Sequence, residues 1–130
     1  MRDEVQLRRL KRLRNIGRVA SLEYQVRECL GGTAERYVLL DELLETTIYA
    51  AEHDASHPVL SRKWTADQQQ ALLAFARTAS TLFDQIGWQD PNVSLTQIIH
   101  SQSMQRIREA ADECLRRVGV CFTLEELLGD

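Results

Sequence analysis

Three groups of residues in this chain have the types and spacing that chemistry could use. His53 and His57 stand four apart with Asp54 between them, the spacing that sets two imidazoles on one helical face as in transition-metal sites. Glu42/Glu45 and Glu109/Asp112 form acidic pairs three apart, and four such acids could share Mg²⁺ as in all-helical nucleotide pyrophosphatases. Gly31-Gly32-Thr33 would open a helix whose free N–H groups could receive an anion.

Each group has a plainer reading. Pro58 pushes His57 out of helical geometry, and no Glu completes an H-E-x-x-H motif. The acidic pairs are far apart in sequence, and Arg106 and Arg108 border the second, as expected of charges that coat exposed helices. Two glycines between helices make a cap and a turn. No G-x-S-x-G, P-loop or glycine-rich phosphate cradle occurs. Cys29, Cys114 and Cys121 are odd in number with no C-x-x-C pair, so they read as reduced, small apolar residues, and nothing brings Cys121 to His100. The expectation is a protein that is not an enzyme, with no metal site and no cofactor.

Charge carries more. The chain of 130 residues has a net charge of −3, but "RRLKRLRNIGR" at residues 8–18 holds six cations in eleven positions. Residues 1–18 carry seven cations against two acids, a net of +5, and residues 19–130 carry nine against seventeen, a net of −8. A basic arm on an acidic body directs attention to the arm. No apolar run approaches a membrane span, and no apolar core follows the basic start as a signal peptide requires, so a cytoplasmic location is expected and no membrane partner.

The elements that would position these residues are helices. The chain is 44% apolar with two prolines and six glycines, and no strand alternation competes with the helical spacing. Thr65/Gln68, Ser94/Gln97 and Thr123/Glu126 are three capping boxes, the last two with staples Val93/Ile98 and Phe122/Leu127. Five helices follow. The first ends at Gly31-Gly32 with Val19, Leu22, Val26, Cys29 and Leu30 inside. The second is capped by Thr33, with Tyr37, Leu40, Leu44 and Ile48 inside. The third runs from Thr65 to about Ile86, the fourth from Ser94 to about Val118, and a short one closes after Thr123. The expected fold is all-α: a four- to five-helix bundle in one domain spanning 1–130, with an extended amphipathic N-terminal helix and a short C-terminal helix.

Leu7, Leu10 and Leu13 form one face of the arm, and Arg8, Lys11 and Arg12 the other. Continued through Ile16, Val19 and Leu22, a threefold apolar spacing drifts about 60° per step around an α-helix. Either the helix breaks near Gly17 so that both faces reach one core, or it runs straight and the leucines need a partner. The fourth helix splits the same way, with Leu95, Ile98 and Ile99 opposite Met104, Ile107 and Ala111. The spacing therefore points to an adaptor, inhibitor or regulatory subunit. It would bind a protein, or a second copy of itself, through Leu7, Leu10 and Leu13 with Arg8, Arg9, Lys11, Arg12, Arg14 and Arg18 at the rim. Nucleic acid is the second class of partner, since the same cations with Arg116 and Arg117 could contact phosphates, although no aromatic interleaves them for base stacking.

Overall fold

Thr65, Ser94 and Thr123 each begin a helix with the same chemistry. The hydroxyl accepts from the backbone N–H three residues on, and the Gln68, Gln97 or Glu126 side chain accepts from the cap's own N–H. A computed structural model of the chain describes residues 4–32 and 38–129. It is all-helical: α1 is Glu4–Ala20, α2 Leu22–Gln25, α3 Leu40–Ser56, α4 Ala66–Asp84, α5 Leu95–Ile99, α6 Gln102–Val118 and α7 Leu124–Leu128. A π-helical turn, Val26–Leu30, continues α2, and a 3-10 turn, Leu60–Lys63, precedes α4. The cap expected at Thr33 and the inner position Tyr37 lie outside the described residues. No described helix is long and apolar enough to cross a membrane.

The four long helices α1, α3, α4 and α6 enclose the core. Ile16 and Val19 of α1, Leu44 of α3, Leu72 and Phe75 of α4, and Met104 and Ile107 of α6 are each at most 1% exposed. α5 adds Ile98 and Ile99, and Trp64 closes one end. At the far end of α6 the chain turns on Gly119, whose φ of 89° is the left-handed conformation glycine enters without strain.

Both split faces found in the sequence are reconciled by breaks: the first lies beyond Gly17, and the fourth helix, expected as one, is interrupted. α1 runs straight through Gly17 and stops at Ala20, where the Ser21 hydroxyl caps α2 by accepting from Tyr24 N–H at 3.0 Å. The new helix has its own phase: Tyr24 and Gln25 turn inward, and Leu22, Val26 and Leu30, expected inside, are exposed. The expected fourth helix is two helices, α5 and α6. Ser101 starts the second by accepting from Met104 N–H at 3.2 Å, and the change of direction lets both apolar faces reach one core.

Gln25 locks the first break. It is fully buried, and its Nε2 donates to the carbonyls of Arg18 at 3.2 Å and Val19 at 2.7 Å, the unsatisfied end of α1. Its Oε1 accepts from Arg108 at 3.0 Å, and the same Arg108 nitrogen donates to Ile99 O at 2.8 Å, the end of α5. Burial pushes the Arg108 guanidinium below its ordinary pKa, with Glu109 acting the other way. One amide and one guanidinium thus tie together the ends of two helices.

Candidate interaction surface

The C-terminal half of α1 belongs to the bundle. Leu13, expected to face a partner, is 3% exposed and lies in the core with Ile16 and Val19. The reason is helical phase: Leu13, Ile16 and Val19–Ala20 follow three- and four-residue steps, which leaves Leu7 and Leu10 on a neighbouring face. Leu7 is 48% exposed and Leu10 half-buried.

Gly17 is a close approach and not a hinge. A Cβ there would stand 2.9 Å from Leu127 Cδ2 and 3.0 Å from Phe122 Cδ2, so the missing side chain is what lets α7 lie against α1. Arg18 holds α7 down: it donates to Leu127 O at 2.8 Å and Gly129 O at 2.7 Å, capping the C-terminus of α7, and its guanidinium lies 5.6 Å from the Tyr24 ring centre.

Two further arginines of the arm also serve the bundle. Arg9 sits over the Trp64 ring at 4.7 Å and donates to Gln68 at 3.1 Å. Arg12 pairs with Asp54 at 3.2 Å, and Asp54 is 4% exposed on α3. The second Asp54 oxygen has no hydrogen-bond partner, and Asp54 lines a pocket of about 40 Å³ with Arg8, Lys63 and Trp64, room for about one water molecule. Arg8 and Lys11 remain exposed, and Arg14 is half-buried.

What the arm leaves open is a groove of about 360 Å³ between α1 and α7. Leu10 and Phe122 form its apolar floor and Leu7 its lip, while Lys11 and Arg14 line the α1 wall and Glu126 and Gly129 the α7 wall. Phe122 and Glu126 were legible in the sequence only as a staple and a capping box. The signal for their second role is Gly17, the one position of the arm where a neighbour approaches without a side chain between. A wider depression between α4 and α6, about 870 Å³, is walled by charges of both signs such as Arg77, Arg106, Glu109 and Glu113. Arg116 there is already paired with Asp112 at 3.4 Å and Glu113 at 2.8 Å, and the lining of this depression is more polar than that of the α1/α7 groove.

The groups that suggested catalysis or metal binding are placed otherwise. His57 ends α3, and its Nδ1 accepts from the N–H groups of Val59 at 3.1 Å and Leu60 at 3.2 Å. A neutral imidazole accepting at Nδ1 carries its proton on Nε2, the opposite tautomer from one that ligates through Nε2. Tyr49 instead stacks on His53 at a centroid distance of 5.7 Å and His57 lies tilted against His53 at 5.2 Å, while Asp54 turns inward to Arg12. Glu42 and Glu45 are exposed on α3, and Glu109 accepts from Gln105 at 3.3 Å. Among the described residues no three His, Cys, Asp or Glu side chains gather as metal ligands would. Cys114 is buried, Cys29 half-buried and Cys121 exposed, all three unpaired.

The chain was also compared with protein-family models, curated proteins and solved structures, and none of the three comparisons finds a match.

Proposed function

We propose that this all-α protein is a non-enzymatic interaction protein, an adaptor, inhibitor or regulatory subunit, that docks a protein partner in the groove between α1 and α7. It works in a reducing compartment, the cytoplasm, where its three thiols stay unpaired. The observation that carries the reading is the apolar floor of Leu10 and Phe122 with Leu7 at its lip, rimmed by Lys11 and Glu126. An apolar centre with a polar rim is the anatomy of a protein-docking site. Leu13 drops out of the contact set.

The division of the arginines favours protein over nucleic acid. Arg9, Arg12 and Arg18 are engaged by Trp64 and Gln68, by Asp54, and by the end of α7, so they stabilise the bundle. Of the six cations in residues 8–18 only Arg8 and Lys11 are exposed, few for phosphate contacts that need several cations at once.

A photo-crosslinking residue placed at position 7, with Thr78 of α4 as the control site, tests this in native lysate with and without nuclease. Protein adducts specific to position 7 and indifferent to nuclease are the expected result. Adducts equal at both sites, or lost with nuclease, overturn the reading.

A further inference from the structure

We infer that the α1/α7 groove takes a second copy of this chain, in a two-fold arrangement that sets Lys11 of one copy against Glu126 of the other. The inference rests on the groove being a protein-docking surface and adds who docks there. The two walls carry opposite charge: Lys11 and Arg14 on α1, Glu126 on α7, with Leu7, Leu10 and Phe122 between them. A two-fold axis running along the groove turns one copy over so that its α1 wall lies above the other's α7 wall. Lys11 then meets Glu126 twice, once in each direction, and the apolar strips meet at the axis. This reciprocity is what an isologous contact requires, and a surface of one charge sign could not supply it. Both Lys11 and Glu126 are exposed, so the pairing needs no rearrangement of the bundle.

The groove is lined by seven residues, well below the roughly 20–30 residues a side of stable complexes. The dimer is accordingly weak and reversible, associating only at high protein concentration. Such a dimer would also compete with any other protein for the groove, so dilution frees the surface.

Sedimentation velocity of the full chain from about 5 μM to about 500 μM tests the inference. The wild type should move from monomer toward dimer across this range. Lys11→Glu and Glu126→Lys, each of which sets like charges together twice in its own homodimer, should each weaken association about tenfold or more. An equimolar mixture of the two should restore it, because the mixed dimer carries two attractive pairs. Glu126 also accepts from Thr123 N–H at 2.9 Å in the α7 cap. Glu126→Gln keeps that acceptor; mixed with Lys11→Glu it carries one attractive pair and no repulsive one, so association should recover in part if the lysine variant melts early. A wild type that stays monomeric throughout overturns the inference, as does association untouched by either variant, or folded variants whose mixture fails to associate. The crosslink at position 7 separates this failure from failure of the docking site: adducts with other proteins from a monomeric chain leave the groove in use by a different partner.

Discussion

Replacing Gln25 by leucine removes polar atoms from a fully buried position while nearly keeping the side-chain volume. Two carbonyls each lose a donor. Arg18 O retains only Ser21 N–H at 3.4 Å, while the 2.7 Å bond to Val19 O disappears from a buried helix end. Arg108 loses one acceptor and keeps Ile99 O. An unsatisfied buried carbonyl costs about 1–2 kcal/mol, and a bond to a charged group contributes about 1.5–3, against a small gain from the apolar replacement. The sum is a loss of about 3 kcal/mol. At about 2.1 cal/mol/K per residue of unfolding entropy, that lowers the melting temperature of a chain this size by roughly 10 °C. Thermal and urea unfolding followed by far-ultraviolet circular dichroism measure it directly. Because Gln25 and Arg108 share one bond, the pair Gln25→Leu and Arg108→Met should be non-additive by about 1–2 kcal/mol in a double-mutant cycle. A Gln25→Leu protein that melts within about 2 °C of wild type, or single effects that simply add, would refute the network as the lock between α1 and α5.

Leu13→Ala should destabilise by about 3–5 kcal/mol, whereas Leu7→Ser should stay within about 0.5 kcal/mol; equal effects in urea unfolding would mean the two leucines share one environment. Thr47 is 2% exposed and its hydroxyl has no partner, so Thr47→Val, close in shape, should stabilise by about 1 kcal/mol, and a lowered midpoint would reveal a bond that the hydroxyl makes. Burial pushes the Cys29 thiol up to about 11, helped by Glu28, and the Cys114 thiol up to about 11 against the pull of Arg117. Both thiols hold their proton more tightly folded than unfolded, so their contribution is intact below pH 9 and is lost as pH rises from 9 toward 11. Urea midpoints of wild type and Cys114→Ala measured over that window should converge as pH rises; parallel curves would remove the thiol from the account.

Much of the fold is visible in the sequence because its signals are local. The three capping boxes are written in residues three apart, and both hydrogen bonds of each are made. The stripe Leu72, Phe75, Ala76 and Ala79 is likewise a property of one helix, and all four are buried. The two breaks were signalled only indirectly, as apolar faces that no single straight helix could bury. Their positions depend on Ser21 and Ser101, small polar residues whose capping role is decided by the turn of chain around them. Gln25 and Arg108 lie eighty-three positions apart and look like surface residues, since nothing nearby in sequence tells that each completes the other. The groove divides in the same manner. Leu7, Leu10 and Lys11 stand out by spacing and charge, whereas Phe122 and Glu126 join them only through the close approach at Gly17.

The bonds from Arg18 to Leu127 O and Gly129 O span 109 and 111 positions of chain. Closing a loop of that length is entropically slow, and contacts of high sequence separation delay folding. During synthesis, α1 precedes α7 and cannot receive this outer cover until residue 129 has been joined and has cleared the ribosome. The apolar side of α1 at Leu10 and Gly17 stays uncovered over that interval, longer than any other helix face in the bundle waits for its neighbour. That makes the nascent N-terminal helix the segment most in need of protection while the rest of the chain is being made.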